Sequence, residues 1–270
     1  MAIIAQLSDI HLAAGRDGAV DDASGPVRAL RAAVSSLLSL PARPDAVVLT
    51  GDLADGGRPA EYERLHALLS PLPMAVYPLP GAHDDRDALR AAFRDHPAIA
   101  ASGRRPQDPV QYAVDVAGTR LVCCDTTVPG QSYGAMDGGR LDWLDRTLAE
   151  APDTPTIVAT YHPPHPVGIR FVDDIGFTDA AAFADVIARH RQVVRVISGL
   201  VHRGTVGSLA GTVSTTCPST YRQLYLDMTR PGRAAVTGEP AGFAVHLVSD
   251  GMATTHFAPS GDYRPLMQVD

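Results

Sequence analysis

Ile3-Ile4-Ala5-Gln6-Leu7-Ser8-Asp9-Ile10-His11 opens the chain with a short apolar run that turns polar within one residue. A run this short and rich in Ile, Leu and Ala reads as a strand covered on both faces. The form recurs. Val47-Val48-Leu49-Thr50 gives way to Gly51-Asp52, and residues 74–79 to Pro80-Gly81-Ala82-His83-Asp84. Residues 156–161 lead into His162-Pro163-Pro164-His165-Pro166, and residues 193–198 into Gly199-Leu200-Val201-His202-Arg203. A sixth run covers 121–125.

Between these runs, residues 25–40, 59–69, 85–93, 140–150 and 179–189 carry helical period. Strand alternating with helix argues an α/β fold. From about residue 205 the pattern changes. Residues 205–209, 212–215, 242–248 and 252–257 lack intervening helices and read as antiparallel strands. No linker, charge block or repeat divides the chain, so one domain over 1–270 is expected, mainly β in its C-terminal part.

Ligands of open α/β sheets bind beyond the carboxyl ends of the strands. Five strand ends that each deliver Asp or His there define one convergent site. In extended backbone the D-x-H residues Asp9 and His11 share a face, and Gly51 permits close backbone approach before Asp52. Mixed carboxylate and imidazole donors suit Zn, Mn, Fe or Co.

Composition narrows the function. Lys and Arg number 23 against 30 Asp and Glu, a net charge of −7, which disfavours coating a nucleic acid. Three cysteines, Cys123, Cys124 and Cys217, make no disulfide framework, and a reducing cytoplasm is the expected compartment. The apolar run at the N-terminus is too short for a signal peptide, and no run approaches the roughly 20 residues of a membrane span.

The series Asp9-Ile10-His11, Gly51-Asp52, Gly81-Ala82-His83-Asp84, Tyr161-His162-Pro163-Pro164 and Gly199-Leu200-Val201-His202 resembles the calcineurin-like metallophosphoesterase superfamily. Its nearest branch is the class III cyclic-nucleotide phosphodiesterases and related glycerophosphodiesterases. The resemblance runs from Asp9 to about Phe257 and includes Pro166-Val167-Gly168 and Cys217-Pro218-Ser219-Thr220. It implies a four-layer α/β/β/α sandwich with two mixed sheets and a bridged pair of metals. On that pattern Asp9, His11, Asp52 and His202 hold the first metal, and all four are intact. The second metal's positions fall on Asp52, Ala82, Tyr161 and Leu200, where only the shared aspartate survives. A mononuclear site is therefore expected, with a second cation only if His162 or His165 swings in as a donor. The resemblance gives His83 a place beside the phosphate, with Asp84 orienting it; Asp84 also reads as an N-cap for the helix at 85–93.

Three functions follow as expectations. The first is metal-dependent hydrolysis of a small anionic phosphodiester such as a cyclic nucleotide. The second is a single-metal isomerase, epimerase or non-phosphate hydrolase with Tyr161 as acid/base. The third is a binding protein that has lost catalysis. Relatives of this kind also form homo-oligomers.

Overall fold

The computed structural model describes residues 1–103, 105–229, 231–263 and 266–267. Strands β1 (Ala2–Leu7), β2 (Ala46–Thr50) and β3 (Ala75–Leu79) run parallel, crossed over by helices α1 (Gly25–Leu38) and α2 (Pro59–Leu69). Helices α3 (Arg86–Ala92) and α4 (Pro97–Ala101) lead to the hairpin β4 (Tyr112–Val116) and β5 (Thr119–Cys123). From β5 the chain passes through α5 (Gly138–Ala149), β6 (Thr156–Ala159), α6 (Arg170–Ile175), α7 (Ala180–Arg189) and β7 (Val193–Ser198). The remainder is β8 (Thr205–Leu209), β9 (Thr212–Thr216), the short pair β10 (Gln223–Leu224) and β11 (Val236–Thr237), β12 (Gly242–Ser249) and β13 (Met252–Pro259).

Two large sheets result. One has 5 strands in the order β13-β12-β1-β2-β3, and the other has 6 in the order β4-β5-β6-β7-β9-β8. Both mix parallel and antiparallel pairs. Side-chain alternation stacks them. Leu121, Cys123, Ile157 and Ala159 join a core with β1, β2 and the buried faces of α1 and α2. Their neighbours Val122 and Val158 point the other way, onto Leu144 and Leu148 of α5 and Phe183 and Ile187 of α7. Opposite faces of one strand thus serve two cores, and the layers run α/β/β/α.

A polar seam crosses between the sheets. The Gln6 amide donates to Thr50 Oγ1 at 2.8 Å and to the Ser198 carbonyl of the other sheet at 3.0 Å. Its oxygen accepts from His246 Nε2 at 3.0 Å. That bond fixes the His246 tautomer, so His246 Nδ1 accepts from the Thr255 hydroxyl. Burial first, then the charge of Arg195, holds this imidazole down at about 3, neutral in the seam.

Hairpins close the late strands. Ala117-Gly118, Ala210-Gly211 and Asp250-Gly251 each place both central residues at positive φ, between 47° and 85°. This is the geometry that matches the twist of antiparallel strands, and the glycine adopts it without steric cost. No helix among the described residues is long and apolar enough to cross a membrane.

Candidate metal centre

The predicted site residues stand at the carboxyl ends of β1, β2, β3 and β7, but not in extended backbone. Asp9, His11, Asp52, Leu200 and His202 all lie in the left-handed region, with φ between 47° and 67°. Each such non-glycine residue costs of order 1–3 kcal/mol, a strain that clusters at functional sites. The kinked loops are zipped together: Asp9 N donates to the Gly51 carbonyl at 3.0 Å and His11 N to the Asp52 carbonyl at 2.9 Å. Convergence of Asp9 and His11 therefore comes from two left-handed turns, not from the period of a strand. Gly81 is required by contact, because a Cβ there would sit 2.1 Å from Asp52 N.

The donors meet closely. His11 Nε2 and His202 Nε2 are 3.2 Å apart. Asp52 Oδ2 is 3.6 Å from His11 Nε2, and Asp9 Oδ1 is 3.5 Å from His202 Nε2. The other ring nitrogens are committed: His202 Nδ1 donates to the Arg222 carbonyl at 2.7 Å, and His11 Nδ1 bonds Asp55 Oδ1 at 3.1 Å. Both Nε2 atoms thus face one point. Asp9 is fully buried; its Oδ1 accepts from Leu200 N at 3.2 Å, while its Oδ2 has no partner. Burial raises the Asp9 carboxyl, against the pull of His202. Burial alone would lower His11; its bond to Asp55 and the charges of Asp52 and Asp9 push it up to about 9. Two imidazole nitrogens, which release any proton they carry as a cation binds, and a partnerless buried carboxylate oxygen are a donor set that fits a cation.

Asp55 was not legible as a site residue, although it stands three positions beyond Asp52. Its carboxylate holds His11, and its carbonyl lies 3.0 Å from His83 Nδ1. His83 is half-exposed, its ring centroid 5.2 Å from that of His11. A second set of donors, His11, Asp55 and His83, is assembled by the same contacts.

Several expectations need correction. Asp84 does not orient His83. It is partly buried and accepts from Gly81 N, Leu53 N, Ala54 N and the Tyr62 hydroxyl, at 2.8 to 3.1 Å. Nor does it cap α3; Asp85 does, accepting from Asp87 N and Ala88 N. Tyr161 is 1% exposed, and burial, then the charges of Asp52 and Asp9, raises its phenol well above the usual tyrosine range. His162 bonds Thr126 Oγ1 at 2.8 Å and donates from Nε2 to the Ser132 carbonyl at 2.9 Å, so neither nitrogen is free for a metal. Burial holds it neutral, at about 4. His165 lies under β8, where a Cβ on Gly207 would strike its ring, and joins none of the donor sets found among the described residues. Ala82 offers no donor, and the Leu200 side chain packs with Ile169, Val172 and Leu224.

The model of the calcineurin-like phosphoesterase family matches residues 3–203. A probable cyclic nucleotide phosphodiesterase of Synechococcus is 32% identical over 239 residues, covering 88% of each chain. A glycerophosphodiester phosphodiesterase of Enterobacter lignolyticus is 31% identical over 85% of this chain and 84% of its own. Among solved structures, a dimetal phosphatase of Danio rerio superposes with a TM-score of 0.66 at 17% identity, covering 94% of this chain and 98% of its own. With the two-sheet sandwich and the strand-end donors in place, the chain belongs to the calcineurin-like phosphoesterases, a family of metal-dependent hydrolases.

Proposed function

We propose that the protein hydrolyses a small phosphodiester of the cyclic-nucleotide kind at a single cation held by Asp9, His11, Asp52 and His202. The observation that carries this reading is the 3.2 Å approach of two imidazole Nε2 atoms beside the partnerless buried Oδ2 of Asp9. The substrate class is supported by the likeness to a probable cyclic nucleotide phosphodiesterase and a glycerophosphodiester phosphodiesterase.

A bound ion of the Zn, Mn, Fe or Co type supplies Lewis acidity, polarising a phosphoryl oxygen and lowering the pKa of water. The chain's own residues do the rest. Asp9 and Asp52 bring negative charge into a buried site, and the kinked loops hold all four donors before any ligand arrives. His83 stands at the open side with Nδ1 turned to the Asp55 carbonyl, which leaves Nε2 for substrate. From there Nε2 can reach a phosphoryl or leaving-group oxygen as a hydrogen-bonding and proton-transfer group.

The test is reconstitution of the purified protein with Mn, Fe, Zn or Co, followed by assay on bis(4-nitrophenyl) phosphate and cyclic AMP. Hydrolysis that depends on the added ion, with one equivalent per chain by elemental analysis, is expected. Flat rates with every metal would sink the reading.

Asp55 should tune this centre through His11. A carboxylate behind a ligand imidazole fixes its tautomer and raises its basicity, and its loss commonly costs 10–100-fold in affinity. Asp55→Asn is therefore expected to weaken metal binding by roughly tenfold or more in a calorimetric titration, with the fold intact by circular dichroism.

A further inference from the structure

We propose that the cavity beside Leu200 is the specificity pocket of this site, taking a flat heteroaromatic ring whose exocyclic amino group donates to His165, as the amino edge of adenine would. This deepens the phosphodiesterase reading above and rests on it.

The cavity has a volume of about 210 Å³ and is lined from the loop after β6 and from α6 and α7. Pockets that enclose a drug-sized ligand run to about 300–1,000 Å³, so this one suits a single ring system and not a whole nucleotide. Pro163, Pro164, Val172, Phe177 and Leu200 give it apolar walls. Leu200 also ties it to the metal centre. Its backbone N donates to Asp9 Oδ1 at 3.2 Å, so one wall of the cavity is bonded to a proposed ligand of the cation.

Two ionisable residues line the cavity, Asp173 and His165. Both Asp173 oxygens are engaged, accepting from Val167 N at 2.8 Å and from Gly168 N at 2.9 Å. His165 is 9% exposed, and its Nδ1 is buried with no hydrogen-bond partner among the described residues. A Cβ on Gly207 of β8 would lie 2.3 Å from His165 Cδ2. In the imidazole ring the Nδ1–Cε1 edge stands opposite Cδ2, so that edge is turned away from the strand.

A chain of hydroxyls sets the proton positions. Thr216 Oγ1 donates to the Arg203 carbonyl at 2.6 Å, so it accepts from the Thr205 hydroxyl at 2.7 Å. Thr205 Oγ1 therefore turns lone pairs toward His165 Nε2, 3.5 Å away, and Nε2 carries the ring proton. Burial holds the imidazole below its ordinary value, against the pull of Asp173. Nδ1 is then an acceptor without a donor, and buried polar atoms are ordinarily paired. The imidazole joins neither donor set found for a cation among the described residues, so a neutral donor is the partner that fits. An amino group on an aromatic ring supplies one, while the ring packs on the prolines and Phe177.

The experiment uses the metal-reconstituted full chain. It compares kcat/KM for cyclic AMP with that for the cyclic phosphate of purine riboside, an otherwise identical nucleotide without the amino group. The wild type should favour cyclic AMP about tenfold, the scale of one hydrogen bond to a buried acceptor. His165→Phe keeps an aromatic ring and removes the acceptor. Its ratio should fall to near one, with bound metal unchanged by elemental analysis. If that variant does not fold, His165→Leu takes its place with the same expectation. Equal kcat/KM on the two nucleotides in the wild type would overturn the inference alone. So would a preference that survives in the variant, or metal lost from it. Turnover of bis(4-nitrophenyl) phosphate without turnover of either nucleotide would also overturn it, while leaving a metal-dependent phosphodiesterase. No turnover of any of the three would sink the hydrolase reading and this inference together.

Discussion

Asp52→Asn is expected to cut metal-dependent phosphodiester hydrolysis by roughly a thousandfold or more, the equivalent of several kcal/mol of Lewis-acid stabilisation. The variant should fold, because the side chain keeps its shape and its Oδ1 can still accept from His83 N. The new amide nitrogen must then take the place of Oδ2, which faces His11 Nε2 at 3.6 Å, on the side of the proposed cation. An N–H₂ group offers no lone pair there and repels the ion. Flipping the amide places N–H₂ against the backbone N–H of His83 instead. A flipped amide breaks the His83 contact and an unflipped one opposes the proposed cation, so neither rotamer of Asn serves the site. Loss of bound metal and of kcat/KM together, with an unchanged far-ultraviolet spectrum, is the expected result. A variant that retains metal and most of its activity would remove Asp52 from the centre.

The features legible in the sequence were those with a local physical signature. Apolar runs with abrupt polar ends located β1, β2, β3, β6 and β7, because covered strands carry few polar residues. Asp250-Gly251 joins two strands whose own patterns marked them, and Asp-Gly is a strong turn signal, whereas Ala117-Gly118 is a weak one. The strand β4 before that weak turn was accordingly not anticipated. At the site, residue identity was legible and mechanism of assembly was not. The spacing of Asp9 and His11 suggested a shared strand face, while the chain uses two left-handed turns, which spacing cannot reveal. The Asp55 contacts to His11 and His83 link separate loops, so proximity in sequence to Asp52 said nothing of them. His162 and His165 looked available because a one-dimensional reading cannot see Thr126, Ser132 or Gly207 arriving from other elements.

Asp84 carries the second large effect, and it acts on the fold. Its carboxylate gathers Gly81 N from the loop after β3, Leu53 N and Ala54 N from the loop after β2, and the Tyr62 hydroxyl from α2. One side chain thus clamps the two loops that carry Asp52 and His83. Removing it leaves buried donors without acceptors, each costing about 1–3 kcal/mol and not strictly additive. Asp84→Ala is therefore expected to destabilise the protein by about 4 kcal/mol, which lowers Tm by roughly 10 °C in a chain of this size. The loss should depend on pH. Burial first, then the nearby Asp52 charge, raises the Asp84 carboxyl from its ordinary 3.8 to about 7 against the pull of three amides. A raised folded value means stability that is fully present below about pH 4 and is lost as pH rises through about 7. The deficit of Asp84→Ala in urea titrations should accordingly be larger at pH 5 than at pH 8. A deficit under about 1 kcal/mol, the scale of an ordinary surface substitution, or one that grows toward pH 8, would show that the clamp is not held by this carboxyl.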